Sequence, residues 1–416
     1  MTDFIQSGLI TTLHDLGAIP GERLDALLHK QTHDYPVGLI LPVTAHDMRQ
    51  PPFATIVEEL AKVDYLRRIV IVLDQAPEIE QYLHARHLAV TLGDRARVLW
   101  THSDRVRDLY ETLMEAGLNI PRSGKGRAVW TAFGYLLGDT SLKAFAVHDC
   151  DIVSYESEMV ARLCLPLIHP SLDFEFCKAY YARYAERMHG RVARLLVAPL
   201  LRALIAMRGY DPFLVYLNSF RYPLAGEFGV QSTLARAIRI PGDWGMEIGT
   251  LAEVFRNTSM KRVCQVDLCQ QYEHKHQSLS LDDPTRGLMK MSGDILSAMF
   301  RTLSSMGVGF ADGDFVTLQS AYRRAAQDAI RQYRADALMN GLKYDQNEEE
   351  QAVEGITRQI VAAGEGYVND PSLGEELPNW SRVLSAFPEF PQALEAAVKA
   401  DADIPAATEL TSRGAA

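Results

Sequence analysis

The chain has little of what marks a secreted, membrane-spanning or nucleic-acid-coating protein. Only 5 of its 416 residues are cysteine, at positions 150, 164, 177, 264 and 269. The number is odd and no Cys-x-x-Cys pair occurs, which disfavours both a disulfide framework and a cysteine zinc site. Core thiols in a reducing cytoplasm are the expectation. No run approaches ~18 consecutive apolar residues, so no membrane span is predicted. The opening MTDFIQSGLITTLHDLG has no basic stretch, and no secretory signal is predicted. Positive charge is also in short supply: 42 Lys and Arg face 53 Asp and Glu, for a formal net charge of −11. Phosphate-backbone binding needs a basic surface, so no nucleic-acid partner is expected, although a local basic pocket remains compatible. Internal repeats and low-complexity tracts are missing too.

What is present is an ordinary globular composition. A hydrophobic fraction of 47% is too high for a disordered chain. The length suits two or three domains, or one large α/β domain with helical additions. Residues 1–34 read as an N-terminal helical segment, with Leu24, Leu27 and Leu28 on one face. Apolar runs at 37–42, 69–73, 97–100 and 145–147 then alternate with helical stretches near 56–63 and 106–116. That alternation predicts a parallel α/β sheet with helices on its faces, whose ligands sit at the carboxyl ends of the strands. Residues 173–184 and 263–268 look strand-like. Residues 192–207 read as a helix kinked at Pro199. From 285 to 416 the pattern is mainly helical, with a loose tail. Tyr322, Ala326, Ile330, Tyr333 and Ala337 form an apolar stripe, and Gly341 is a stop signal. The predicted layout is thus 1–34, an α/β domain over 35–284, and a helical region over 285–416 serving dimerisation or cover.

Five motifs could carry chemistry. His148-Asp149-Cys150-Asp151 follows the strand at 145–147 directly. Two carboxylates one residue apart at a strand end can meet one cation, and magnesium favours such a set with water and phosphate oxygens filling the rest. The alternative is that one of them caps a following helix. Ser123-Gly-Lys-Gly126 opens a helical stretch. Its glycines let the backbone approach a ligand and Lys125 offers a charge, but the Walker A spacing is absent, and a plain turn would look the same. Glu227 in Pro223-Leu-Ala-Gly-Glu-Phe228, and Glu247 in Trp244-Gly-Met-Glu-Ile-Gly249, are carboxylates near aromatic residues. They suit sugar hydroxyls, and equally suit turns with surface acids. Glu273-His274-Lys275-His276-Gln277 offers His274 as a third metal ligand and Lys275 for an anion, or else a solvated loop. His189-Gly190-Arg191-Val192 opens the kinked helix and could seat an anion, or be an ordinary helix start.

The order of these motifs is more informative than any one of them. From about Pro36 to Leu303 the series resembles the glucosyl-3-phosphoglycerate synthases. These are retaining glycosyltransferases of the GT-A fold that move glucose from a nucleotide sugar to 3-phosphoglycerate. The most specific parts are Gly190-Arg-Val-Ala-Arg-Leu-Leu-Val-Ala-Pro-Leu-Leu201, Pro223–Phe228 and Trp244–Gly249. The resemblance implies a GT-A, Rossmann-like nucleotide-sugar sheet with a helical C-terminal region. It implies that Pro42, Val43, Thr44, Asp74, Lys125 and Asp149 bind the donor nucleotide. It places Asp149, Asp151 and His274 around magnesium or manganese, with Asp151 and His274 as direct ligands. Gly190, Arg191 and Val192 would bind the acceptor, and Glu247 would sit near the transferred sugar; Glu247 and Asp151 are the catalytic candidates. It also implies a homodimer making a glucosylglycerate-type compatible solute or polysaccharide precursor.

Ala45-His46-Asp47, Ala193, and His276-Gln277 depart from the family pattern. They leave the nucleobase (UDP- or GDP-hexose) and the acceptor (3-phosphoglycerate or glycerate) open. Mannosyl transfer on the same fold is one rival. A non-catalytic sugar-nucleotide sensor whose C-terminal helices bind a partner is another. A nucleotidyltransferase would need a triphosphate loop, which is not apparent.

Overall fold

The structure is a computed structural model that describes residues 6, 8–17, 19–121, 123–242, 245–269, 271–273, 279–280, 283, 285–370 and 376–405. Its strands, in chain order, are β1 (Thr11–Leu13), β2 (Val37–Thr44), β3 (Leu66–Asp74), β4 (Ala96–Trp100), β5 (Ala144–Val147), β6 (Phe176–Tyr180), β7 (Phe228–Gln231) and β8 (Val263–Asp267). The chain divides into two compact units, each gathered from separate stretches of sequence. One comprises 17–175, 227–242 and 376–416; the other comprises 1–16, 176–226 and 243–375.

The first unit carries strands in the order β7-β5-β2-β3-β4. β2 runs parallel to β3 and β5, and β3 parallel to β4, whereas β7 runs antiparallel to β5. Ile69 to Leu73 are all fully buried, because a parallel strand covered on both faces has no solvent side and so reads as a continuous apolar run. The helices Pro51–Ala61, Ile79–Ala89, Asp104–Glu115, Lys125–Leu137 and Glu158–Ile168 belong to this unit. Register aligns Thr44 with Asp74 at the carboxyl ends of β2 and β3. The His148 N–H, just past β5, donates to Ile40 O at 3.1 Å. The segment around Trp380 is anchored here as well. Trp380 stacks on Trp130 at 4.4 Å between ring centroids. The two rings also exchange hydrogen bonds with backbone: Trp380 Nε1 donates to Trp130 O, and Trp130 Nε1 to Pro378 O. A Cβ at Gly134 would lie 2.1 Å from the Trp380 ring, so only glycine leaves room for the indole.

The second unit carries β1-β8-β6, all parallel. The N-terminal segment therefore differs from the helical expectation: Thr11–Leu13 is a strand, and helix starts only at Gly21–Thr32. β-branched Thr11 and Thr12 pair with Cys264 and Gln265 of β8, and a long-range ladder overrides weak local helix propensity. The six helices Ala198–Arg208, Pro212–Ser219, Met246–Asn257, Gly287–Ser305, Asp312–Met339 and Gln346–Asn369 also lie in this unit. The C-terminal region expected as one block from 285 is thus shared out, with 287–369 in this unit and 376–405 in the other. The last residues, 406–416, expected to be loose, lie outside the described residues.

Two details follow from covalent geometry. The irregularity expected at Pro199 lies just before it: Val192–Val197 is π-helical, and the α-helix begins at Ala198 with Pro199 in its first turn. Proline cannot donate to the carbonyl four residues back. That carbonyl, Leu195 O, instead accepts from the Tyr322 hydroxyl at 2.6 Å. The apolar stripe of the helix Asp312–Met339 is consumed inside the protomer, where Tyr322, Ala326, Ile330 and Ala337 are all buried. Tyr333 is half-buried and carries the Arg194 guanidinium over its ring. The stripe therefore does not call for a second copy. Gly341, at φ +66°, follows the end of that helix as read from the sequence.

Candidate functional site

In the first unit the carboxylate pair sits where parallel-sheet proteins put their chemistry. β5 ends at Val147, and the next helix starts only at Glu158. Neither aspartate can cap it, and both are half-buried in the connecting segment. His148 and Cys150, which flank Asp149, are buried. Burial pushes His148 down to about 3, so its ring is neutral, and pushes the Cys150 thiol well up. Residues alternating in and out at a strand end present the aspartates to solvent and leave their neighbours in the core.

Lys125 is the first residue of the helix Lys125–Leu137, and its Nζ lies 2.6 Å from Asp149 Oδ1. This brings together two of the motifs read from sequence. The flanking glycines lie close to the backbone at Pro241 and Gly242. A Cβ at Gly126 would come 1.9 Å from Pro241 O, and one at Gly124 3.0 Å from Gly242 O. The close approach they allow is to the chain's own backbone.

Asp74 is buried at the end of β3. Its Oδ1 accepts from Thr101 Oγ1 at 2.6 Å, and its Oδ2 from Ser123 Oγ at 2.7 Å. Arg127 lies 3.6 Å away and His102 3.8 Å away. Asp74 thus ties together the loops after β3 and β4 and the Ser123 turn. Thr101, His102 and Arg127 were missed in the sequence, since nothing local marks them as partners of Asp74. The Asp74 carboxylate pulls His102 upward, but burial outweighs it and the ring is held below its ordinary value. At the end of β2, Thr44 Oγ1 donates to Asp47 Oδ2 at 2.8 Å, and Asp47 N–H donates back to Thr44 Oγ1. Val43 is buried, whereas Pro42 and Thr44 are partly exposed, so the latter two can offer side chains to a ligand.

In the second unit, Gly190 adopts φ +73°, the left-handed region that glycine favours. A Cβ there would make only ordinary contacts, with the Tyr222 ring 3.8 Å and Arg183 Nη1 3.9 Å off, so backbone conformation and not crowding selects glycine. Arg183 donates to the Tyr222 hydroxyl at 2.8 Å. Tyr181 stacks on Tyr272 at 3.7 Å and meets Tyr222 at 5.1 Å. Val192 is buried and can offer a ligand only its backbone.

The Arg191 guanidinium is held by acids on the helix Gln346–Asn369. Its Nε lies 2.7 Å from Glu349 Oε1, and its Nη2 2.8 Å from Glu348 Oε1. Arg194 Nη1 takes the other Glu349 oxygen at 2.9 Å. Arg187, Met188, Arg191, Arg194, Lys343, Tyr344, Asp345, Glu348 and Glu349 line a cleft of about 160 Å³. Glu348 and Glu349 are functional candidates that the sequence reading missed. Their partner lies about 160 residues earlier, and acids in a first helical turn look like ordinary dipole partners.

Glu247 lies in the first turn of Met246–Asn257 in the same unit and is partly exposed. Glu227 is fully buried, which excludes the surface-acid alternative for it, and it belongs to the first unit. His274, with Lys275, His276, Gln277 and Trp244, lies outside the described residues. Among the described residues no group of three or more His, Cys, Asp or Glu side chains could hold a metal ion. The Asp149–Asp151 pair is itself a hard-oxygen set of the size magnesium accepts from a protein.

No protein-family model matches the sequence. The chain is 42% identical over 401 residues to glucosyl-3-phosphoglycerate synthase from Persephonella marina, covering 96% of this chain and 99% of that one. It is 39% identical over 404 residues to the protein of that name from Methanococcoides burtonii, covering 96% and 98%. Among solved structures, glucosyl-3-phosphoglycerate synthase from Mycobacterium tuberculosis with manganese, uridine diphosphate and glucosyl-3-phosphoglycerate aligns with TM-score 0.53 at 21% identity, over 73% of this chain and 89% of that one. Mannosyl-3-phosphoglycerate synthase from Rubrobacter xylanophilus aligns with TM-score 0.53 at 22% identity, over 72% and 83%. These structural matches carry the α/β glycosyltransferase fold. With two relatives near 40% identity over almost its whole length, the chain belongs to the glucosyl-3-phosphoglycerate synthase family.

Proposed function

We propose that this enzyme moves glucose from a nucleoside-diphosphate glucose to 3-phosphoglycerate, with retention at the anomeric carbon. The observation that carries the reading is the near-full-length identity to the Persephonella marina protein. The Asp149-Cys-Asp151 segment beside Lys125 supports it on the donor side, and the Arg187–Arg191–Arg194 cluster supports it on the acceptor side. A structure of the Mycobacterium tuberculosis protein holds UDP-glucose and phosphoglyceric acid, which favours uridine here. Mannosyl transfer is the second reading, favoured by the Rubrobacter xylanophilus structure.

Asp149 and Asp151, joined by His274, are the residues that would hold magnesium or manganese. When bound, such an ion supplies Lewis-acid neutralisation of charge on the departing diphosphate. Lys125 adds an ammonium at the start of its helix, where free N–H groups and the dipole also favour phosphate oxygens. Pro42, Val43, Thr44 and Asp74 line the nucleoside. Asp74 also ties the surrounding loops, accepting from Thr101 and Ser123, and each of its oxygens keeps a lone pair with which it would help to hold the base. Gly190, Arg191 and Val192 orient the acceptor by its anionic group, and Glu247 holds hydroxyls of the transferred sugar. No described residue is assigned as a covalent nucleophile. The acceptor hydroxyl attacks from the face the diphosphate leaves, and the leaving phosphate takes its proton. Fixing donor and acceptor in this geometry supplies much of the acceleration.

The enzyme is further proposed to act as a cytoplasmic homodimer. Family resemblance supports the dimer, and the buried stripe at Tyr322–Ala337 does not; the odd, scattered cysteines support the compartment. No helix among the described residues is long and apolar enough to cross a membrane. Product analysis from a matrix of UDP- and GDP-hexoses against 3-phosphoglycerate and glycerate tests the assignment. Glucosyl-3-phosphoglycerate as the main product is expected. Nucleotide-sugar binding without turnover would replace the enzyme reading with a sensor.

A further inference from the structure

The arginine cleft has two adjacent acids whose circumstances are opposite. Glu349 is buried, its side chain only 5% exposed, and its carboxylate spans Arg191 Nε and Arg194 Nη1. Glu348 is 34% exposed and reaches Arg191 Nη2 at 2.8 Å and Arg187 Nη1 at 3.4 Å. Neighbours on a helix point about 100° apart, so one faces the core while the other stands on the rim. The remaining charges in the cleft are committed elsewhere. Lys343 pairs with Glu186, and Asp345 accepts the Glu348 backbone N–H at 3.0 Å.

We propose that Glu348 and Glu349 divide the control of acceptor binding between them. Glu349 is a positioning residue that holds the Arg191 guanidinium in place. Glu348 is an internal competitor whose carboxylate occupies the Arg187 and Arg191 donors that the acceptor's anionic group takes. The proposal rests on the reading of Arg191 as an acceptor residue.

The physical case is one of desolvation. Removing one partner of a buried charge pair leaves the other uncompensated, so Glu349 is costly to lose. An exposed pair is worth little, because water and salt replace either partner, so Glu348 is readily displaced. A phosphate or carboxylate offers the arginines a pair of anionic acceptor oxygens, as Glu348 does now. The incoming anion therefore exchanges for a carboxylate on the same protein and does not meet two bare cations. That exchange weakens acceptor affinity by the strength of the displaced pair.

Steady-state kinetics of the full-length enzyme separates the two roles. Glu348→Gln is expected to lower the acceptor KM by about two- to fivefold. Glu349→Gln is expected to raise it by about tenfold or more, with the donor KM unmoved. Glu349→Asp should recover part of that loss, which a generally destabilised fold would not reproduce as an acceptor-only effect. If Glu349→Gln does not fold, Glu349→Asp carries that arm with a smaller rise. An unchanged or raised acceptor KM in Glu348→Gln overturns the competitor role. Equal changes in donor and acceptor KM for the Glu349 variant overturn the positioning role. Arg191→Ala is the control that keeps the failures apart. If it leaves the acceptor KM unchanged, the acceptor reading of Arg191 is wrong; if it raises it while Glu348→Gln changes nothing, only the present inference is wrong.

Discussion

Asp151 stands half-exposed after β5 with no helix to cap, while His148 and Cys150 beside the pair are buried. A partly exposed acid read as a metal ligand should, when replaced, cost function more than stability. Asp151→Ala is expected to keep the melting temperature within a few degrees and to lose several kcal/mol of transition-state stabilisation, about a thousandfold or more in rate. Calorimetric titration with manganese should weaken in parallel. Normal manganese affinity and normal turnover in this variant would remove Asp151 from the metal set. His102 supplies a pH test at the same scale. Burial holds its folded-state value below the ordinary 6.5, so the unfolded chain takes up a proton before the folded one does. Stability is then full above pH 6.5 and is lost as pH falls below it. Urea denaturation should show a steeper acid loss for the native chain than for His102→Asn. Parallel curves would show that the ring is free to protonate in place.

At the scale of elements, the π-helical turn before Pro199 is a solved problem of backbone accounting. Proline removes one helical hydrogen bond, and the Leu195 carbonyl it strands is buried among the helices of its unit. Tyr322, arriving from the helix Asp312–Met339, fills the vacancy. Tyr322→Phe removes one oxygen and leaves that carbonyl without its donor, a loss of about 1–3 kcal/mol. Chemical denaturation should register this in the midpoint without a change in slope. An unchanged midpoint would mean that Leu195 O finds water or another donor. The same packing covers the apolar stripe of that helix within the protomer, so the stripe does not argue for a dimer. Its stripe was correctly read as needing cover, and the cover is the chain's own helices at 198–208 and 346–369.

At the scale of the whole molecule, the two units are each stitched from distant stretches, and Trp380, Phe390 and Leu394 are part of the first unit's core. Trp380 lies flat on Trp130 and fills the space that Gly134 leaves open. Trp380→Ala should cost about 3–5 kcal/mol, and the loss should be seen as a lowered unfolding midpoint even though the residue is far along the chain from every proposed ligand contact. A midpoint within experimental scatter of the parent would show that the C-terminal helices are an accessory and not core. Size-exclusion chromatography with light scattering checks the dimer expectation independently, and a monomer at working concentration would refute it.

Much of this protein is determined by local pattern. The short, β-branched apolar run Ile69–Leu73 reads as a buried strand and is one. Gly341 ends a helix because its φ suits few other residues, and two aspartates after a short apolar run mark the strand end where ligands gather. These features depend on neighbours within a few residues, so they are legible one segment at a time. Other features were decided only when distant segments met. Thr11–Leu13 became a strand because β8 offered a ladder. Gly124 and Gly126 turned out to admit the backbone at Pro241 and Gly242. The Arg191 guanidinium met Glu348 and Glu349 across about 160 residues. A charge or a glycine in a sequence announces what it can do, but its partner is chosen by the fold. Coulomb attraction and van der Waals contact act over ångströms in space, and separation along the chain does not enter them.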